Sequence, residues 1–107
     1  MSELILSEAN SGETVTARMF DILVIRLPEH ATTGYRWEMS MEPPEFAHLT
    51  DDKTIPPGAR PGEGTTRTFR LEPLKPGTGT LRFRYRRSFD PAGTASHEVA
   101  FSLNIAT

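Results

Sequence analysis

Alternation of apolar and polar residues dominates the chain and predicts β-strands over most of its length. Residues 81–86 and 99–105 alternate strictly, so each segment presents one face to a core and the other to water. Residues 66–72 repeat the pattern, with Phe69 and Leu71 as the inward pair. We therefore predict three strands that are each buried on one face.

A continuous apolar run at residues 21–27 differs from these segments. About seven residues bounded by Asp21 and Pro28 and rich in β-branched side chains are too few for a typical helix, so we predict a central strand covered on both faces. Shorter predicted strands span residues 4–6, 13–17 and 35–41. The nine prolines lie between the predicted strands, where a missing N–H breaks no ladder bond. About seven strands separated by turn signals predict an all-β sandwich.

The segment 43–64 lacks this alternation and carries five prolines. We predict a long non-strand excursion that ends in an exposed tip. The sequence shows no internal repeat, low-complexity tract or linker, and 107 residues predict a single domain spanning 1–107.

Charge and composition exclude several classes of protein. Twelve Lys and Arg against fourteen Asp and Glu give a net charge of −2, so we expect no nucleic-acid partner. No stretch approaches the roughly 18 apolar residues of a membrane helix, and we expect no membrane partner. The missing signal-peptide pattern favours the cytoplasm, and secretion stays open. Without cysteine the chain has no thiol nucleophile, thiolate metal site or disulfide.

Residues for catalysis are sparse. His30, His48 and His97 lack the spacing that places two imidazoles on one strand or helix face, so we expect no metal and no other cofactor. A Ser/His/Asp set is not excluded by spacing, but there is no Gly-x-Ser-x-Gly elbow, and we predict that the protein is not an enzyme. The row formed by Arg82, Arg84 and Arg86 is typical of a solvated sheet face paired with acidic residues.

Paired hydroxyl side chains precede a glycine in the connection after the apolar strand. Gly34 is suited to a positive φ and Trp37 to a core anchor, which accounts for both as parts of a plain turn. That interpretation gives no reason for Thr32 and Thr33 at the tip.

Three motifs carry a resemblance to a known family. Residues 32–37, Thr-Thr-Gly-Tyr-Arg-Trp, resemble the Asn-Pro-Thr-Thr-Gly-Tyr/Phe-x-Trp signature of the chagasin-like inhibitors of papain-family cysteine proteases. Residues 62–65, Gly-Glu-Gly-Thr, are similar to the family's Gly-x-Gly-Gly loop. Residues 87–90, Arg-Ser-Phe-Asp, stand where the family has Arg-Pro-Trp/Phe-Glu. Order and spacing match over nearly the whole chain.

The sequence departs from these motifs at four positions. His30 and Ala31 replace Asn and Pro, Thr65 replaces the last glycine, and Ser88 replaces proline. Loops without these two prolines lose fixed φ values and are expected to be less preorganised. Thr65 adds a side chain where the family's backbone comes close to its partner.

The resemblance implies an immunoglobulin-like β-sandwich of about seven or eight antiparallel strands. Three loops, at residues 29–35, 58–65 and 86–91, would wedge into the active-site cleft of a papain-like cysteine protease as a reversible, competitive inhibitor that is a monomer when unbound. The residues implied to contact the protease are Thr32, Thr33, Gly34, Tyr35, Gly62, Glu63, Gly64, Thr65, Arg87 and Phe89. The alternative is an immunoglobulin-like module that binds another protein or a carbohydrate through the same loops without inhibiting a protease.

Overall fold

Eight strands and one short 3₁₀ turn account for most of the chain in a computed structural model that describes residues 2–29, 34–55, 65–87 and 97–107. The strands are β1 (Glu3–Leu6), β2 (Thr14–Arg18), β3 (Ile22–Glu29), β4 (Tyr35–Glu42), β5 (Ala47–Ile55), β6 (Thr65–Pro73), β7 (Gly77–Arg87) and β8 (His97–Ala106). The 3₁₀ turn spans Glu8–Asn10. Within the described ranges, no helix is long and apolar enough to cross a membrane.

The strands form two four-stranded sheets. The first sheet has the order β1-β3-β6-β5 and the second has the order β2-β8-β7-β4. Four neighbouring pairs are antiparallel, whereas β1 pairs with β3 and β2 pairs with β8 in parallel. The predicted all-β sandwich of seven or eight strands is confirmed, but the prediction that the strands are antiparallel is wrong for β1 and β2. Its sheets are mixed because β1 and β2, although consecutive, join different sheets and cannot form a hairpin with each other.

The core lies between the two sheets and consists of the predicted inward residues. Phe69 and Leu71 of β6 are buried, as are the apolar residues of β7 and β8 that alternate with polar ones. The rings of Phe69 and Phe83 pack with their centroids 5.0 Å apart and join the two sheets. Buried side chains in the core cluster include Leu23, Ile25, Leu27, Leu81, Phe101, Leu103 and Ile105.

Strand β3 lies inside the first sheet, between β1 and β6, as predicted for the apolar run. Its alternate residues from Leu23 to Leu27 face the core, and Val24 on the other face is also buried. Arg26 is exposed, so the prediction of cover on both faces is right at Val24 and wrong at Arg26. Pro28 and Pro73 also lie within strands, at the ends of β3 and β6, and not between strands as predicted.

The prediction of a non-strand segment over residues 43–64 is wrong for its middle part. Residues Ala47–Ile55 form β5, which pairs with β6 at the edge of the first sheet. A register shift between Leu49 and Asp51 marks a bulge, which interrupts the alternation that identifies strands in a sequence. The remaining part, residues 56–64, lies outside the described residues.

Candidate functional site

The strands that flank the three motifs all end at the same end of the sandwich, which we call the loop end. It is defined by Glu29, Tyr35, Ile55, Thr65, Arg87 and His97, the last or first residues of β3 to β8. We call these strand ends the stems of the first connection (30–34), the second (56–64) and the third (88–96). Register places Glu29 opposite Thr65 and Tyr35 opposite Arg87.

Four of the predicted contact residues are described, and all four lie at the loop end. Gly34 precedes β4, Tyr35 begins β4, Thr65 begins β6 and Arg87 ends β7. The predicted loops 29–35, 58–65 and 86–91 include five residues that belong to strands: Glu29, Tyr35, Thr65, Arg86 and Arg87. The other predicted contacts lie outside the described residues: Thr32, Thr33, Gly62, Glu63, Gly64 and Phe89.

The first connection is closed at its base by Trp37. Its indole Nε1–H donates to the carbonyl oxygen of Pro28 at 2.7 Å, and its backbone N–H donates to Oε2 of Glu29 at 3.1 Å. Gly34 has a φ of +83°, a conformation that favours glycine, and Trp37 is buried. Both predicted roles are confirmed, and the two hydrogen bonds join the first sheet to the second.

Aromatic packing joins the stems of the first and third connections. The rings of Tyr35 and Tyr85 stack with centroids 5.3 Å apart, and Tyr85 also packs on Trp37 at 4.8 Å. The guanidinium carbon of Arg87 lies 4.6 Å from the centre of the Tyr35 ring, a cation–π contact. His97 meets the edge of Tyr85 at 6.4 Å. The two predicted contact residues Tyr35 and Arg87 thus hold each other in place.

Thr65 links the stems of the first and second connections. Its hydroxyl donates a hydrogen bond to the backbone carbonyl of Glu29. Glycine at this position has no hydroxyl to offer, so the departure from the family's motif adds a bond between two stems.

A cluster of charges lies beneath these stems. We call it the buried charge cluster after its interior members Glu29 and Arg67, which pair with the exposed Asp52 of β5. Glu29 is fully buried and the side chain of Arg67 is 13% exposed. Arg67 donates from Nη1 to Oε2 of Glu29 at 2.9 Å, from Nη2 to Oδ2 of Asp52 at 2.7 Å, and from Nε to Oδ1 of Asp52. Its guanidinium also lies 4.9 Å from the centre of the Phe69 ring.

The pairing of Asp52 with Arg67 shifts the pKa of both groups, each in the direction that favours its charged form. Hydrogen bonds from Arg67 lower the pKa of Asp52 below its usual range, and the hydrogen bonds to Asp52 raise the pKa of Arg67 although its burial opposes this. The charged forms of Asp52 and Arg67 are thus favoured in the folded protein.

Sequence reasoning missed Arg67 and Asp52 and placed Glu29 only at a loop boundary. A signal for two of them was present, because Arg67 is two residues before the inward Phe69 and Glu29 is two residues after the inward Leu27. A strand period of two therefore points both charges into the core. Asp52 gave no such signal, because it follows the bulge in β5.

The arginine row of β7 lies on the outer face of the second sheet, as predicted. Arg82 and Arg84 approach Glu98 at 3.1 and 3.9 Å, and Arg86 approaches Glu38 at 3.5 Å. Exposed pairs of this kind contribute little to stability. Arg87 points to the opposite face, toward Tyr35, and is separate from the row.

Titratable side chains in the described ranges form no group of three or more His, Asp or Glu residues able to hold a metal ion. Charge at the loop end is instead arranged in ion pairs.

Comparison with known proteins matches most of the chain. The family described as chagasin family peptidase inhibitor I42 matches residues 16–105. Amoebiasin-2 of Entamoeba histolytica is 28% identical over 103 residues, covering 94% of this chain and 84% of that protein.

Two solved structures share the fold. The cysteine protease inhibitor EhICP2 of Entamoeba histolytica superposes with a TM-score of 0.91 at 26% identity, covering 98% of this chain and 96% of that one. PbICP-C, whose structure is a complex with falcipain-2, superposes with a TM-score of 0.61 at 20% identity, covering 99% and 100% of the two chains.

Proposed function

The chain belongs to the chagasin family of peptidase inhibitors, and from this premise we propose that its loop end enters the active-site cleft of a papain-like cysteine protease. Members of this family are inhibitors and not enzymes, and the chain is accordingly an inhibitor of cysteine proteases. The observation that carries the proposal is the convergence of all three motif stems at one end of the sandwich.

Each connection has a separate role in the proposed complex. Thr32, Thr33 and Gly34 approach the catalytic cysteine and histidine of the protease, where small residues fit a narrow cleft and hydroxyls both donate and accept. Gly62, Glu63, Gly64 and Thr65 run along one side of the cleft, with backbone groups making the contacts.

Arg87 and Phe89 supply the anchor on the other side of the cleft. Arginine and aromatic residues are enriched among interface residues whose loss weakens binding most. The contact of Arg87 with Tyr35 supports this role, because it fixes the start of the third connection relative to the first.

Inhibition is reversible and competitive in this proposal. The chain has no cysteine and no other group that forms a stable bond with a thiolate, so binding depends on noncovalent contacts. The inhibitor is a monomer when unbound, and one monomer binds one protease. A three-loop contact buries about 800 Å² on each partner, the standard size for protease–inhibitor pairs.

Titration of papain with the purified protein tests the proposal. We expect sub-micromolar, competitive inhibition of peptide hydrolysis with one inhibitor per active site, full recovery of activity after dilution into excess substrate, and no effect on trypsin. No inhibition of papain at tens of micromolar would contradict it and favour the binding-module alternative, and a covalent adduct in the mass spectrum would contradict reversibility.

A further inference from the structure

We propose that Glu29, Arg67 and Asp52, the buried charge cluster, are positioning residues that hold the stems of the first and second connections in the geometry that binds the protease. The inference rests on the proposed function, because it assigns to the cluster a share of the affinity without contact with the protease.

The placement of the three residues supports this role. Glu29 is the residue directly before the first connection, Arg67 follows the first residue of β6 by two positions, and Asp52 lies three positions before the end of β5. Arg67 therefore bridges the strands on both sides of the second connection to the strand that leads into the first.

Arg67 makes these links with all three guanidinium nitrogens. The two bonds to Asp52 form a bidentate pair, and the third nitrogen binds Glu29. Such planar, charge-assisted bonds fix angles as well as distances. A lysine ammonium lacks this fork and cannot reproduce the arrangement.

Glu29 extends the connection to the second sheet. The same Oε2 that binds Arg67 accepts the backbone N–H of Trp37, and the backbone carbonyl of Glu29 accepts the hydroxyl of Thr65. One residue therefore contacts the exit of the first connection and the exit of the second. Loss of its charge partner loosens both stems together.

Stability alone is a poor reason to bury the ion pair of Glu29 and Arg67. Replacing a buried ion pair by apolar residues of similar volume is often neutral or stabilising, because desolvation offsets the attraction. The neighbouring inward residues Leu27 and Phe69 are apolar and buried, which shows that the same rows accept apolar side chains. Unlike apolar contacts, the charge-assisted hydrogen bonds fix the relative orientation of the strands at the place where two connections leave the sandwich.

Loop orientation matters for affinity because binding must order whatever the unbound protein leaves mobile. The sequence lacks the family's prolines at positions 31 and 88, which would restrict the chain near the tips. The buried charge cluster fixes the first and second connections from their bases instead.

The test separates affinity from stability with two variants and a matched control. Arg67→Met removes the cation that hydrogen-bonds to Glu29 and Asp52, and leaves the Glu29 carboxylate with the more distant guanidinium of Arg36, whose Nη2 lies 4.0 Å from Oε1. The double variant Glu29→Gln/Arg67→Met also removes that buried carboxylate. Arg70→Met is the control, because Arg70 lies on the same strand and pairs with Glu3 at 2.9 Å, on the outer face. Inhibition constants are measured at a temperature where every variant is fully folded.

We expect Arg67→Met to weaken inhibition of papain about tenfold and Arg70→Met to change it less than about twofold. The double variant should regain thermal stability relative to Arg67→Met, because it no longer buries a carboxylate that has lost its hydrogen-bonded cation, while its inhibition stays weak. If inhibition recovers together with stability, or if Arg67→Met binds as tightly as the control, the cluster is only structural and the proposal is wrong.

Hydrogen exchange of the unbound protein distinguishes this failure from a failure of the proposed function. We expect faster exchange at the backbone amides of Trp37 and Thr66 in Arg67→Met, and wild-type rates in Arg70→Met. Unchanged exchange at the stems in Arg67→Met overturns the positioning role whether or not the wild type inhibits papain. If the wild type does not inhibit papain, the protease role of the cluster falls together with the proposed function.

Discussion

At the scale of single residues, the loop end differs from the rest of the interior in its chemistry. The inward row of β3 continues from Leu27 to Glu29, and that of β6 runs from Phe69 back to Arg67, so both rows change from apolar to charged within two residues. Each charge meets an opposite one at hydrogen-bond distance. Apolar packing of the core therefore ends at this level of the sandwich, and charged pairs at the base of the connections begin.

Acid unfolding tests the pairing of Asp52 with Arg67. Hydrogen bonds from Arg67 lower the pKa of Asp52 in the folded protein, so the pair stabilises the fold above the usual pKa of an aspartate, and this stabilisation is lost as the pH falls through the lowered value. We expect the urea midpoint of Asp52→Asn to lie below that of the wild type above about pH 5, and the two to converge as the pH falls below about 4.

The same substitution made in the Arg67→Met variant tests whether Arg67 causes the pH dependence. In Arg67→Met the main group that lowers the pKa of Asp52 is absent and the weaker attraction of Arg36 remains. Adding Asp52→Asn should therefore change the midpoint much less with pH than it does in the wild type. A pH-dependent gap of wild-type size in Arg67→Met would show that Arg67 is not responsible for it.

At the scale of elements, the strands that the sequence predicts are those with apolar inward rows. Seven of the eight strands were predictable from alternation or from a continuous apolar run. Strand β5 was not, because the bulge after Leu49 reverses the alternation, and beyond it the inward positions opposite Phe69 and Arg67 are held by Asp52 and Thr54. An edge strand with polar inward residues has the composition of a loop, and the prolines that flank it reinforced that interpretation.

Only the local part of the candidate site could be predicted from the sequence. Gly34, Tyr35, Thr65 and Arg87 belong to local motifs and were found by their spacing. The contacts that connect them join residues far apart in the sequence. Thr65 and the carbonyl of Glu29 are 36 positions apart, and Arg67 and the carboxylate of Glu29 are 38 apart. The pairing of Arg67 with Asp52 also depends on the bulge in β5. Such pairings follow from strand register, which becomes visible only when the sheets are assembled.

Packing at the opposite end, which we call the turn end and which holds Phe46, Leu74 and Gly79, gives an element-scale prediction. A β-carbon on Gly79 of β7 would lie 2.7 Å from the ring of Phe46, which is fully buried, so one of the two must shift. We expect Gly79→Ala to lower the free energy of unfolding by about 1–3 kcal/mol through overpacking, as measured by urea denaturation.

The neighbouring Thr78 provides the matched control, because it is exposed on the same strand. Thr78→Ala should change stability by less than about 0.5 kcal/mol. Inhibition of papain by folded Gly79→Ala should equal that of the wild type, because the substitution is at the far end of the sandwich. A stable Gly79→Ala variant would mean that Phe46 does not pack against β7 as described.

At the scale of the whole molecule, the two ends of the sandwich have separate tasks. The turn end closes on Phe46, whose carbonyl accepts the N–H of Leu74 at 3.1 Å, and it contributes stability. The loop end gathers the three stems and holds them with the Trp37 bonds, the Tyr35 stack and the buried charge cluster. The apolar core lies between the two ends. Substitutions at the turn end should therefore change stability and leave binding unchanged.

The location of the protease contact is the central claim, and a hydrogen-exchange footprint tests it most directly. The protein is compared alone and with papain whose catalytic cysteine is blocked by a group small enough to leave the cleft open. We predict slower exchange in residues 29–37, 55–66 and 86–97 on addition of papain, and unchanged exchange in residues 43–46 and 73–79 at the turn end. Protection at the turn end or on the outer sheet faces, with the loop end unchanged, would contradict the account.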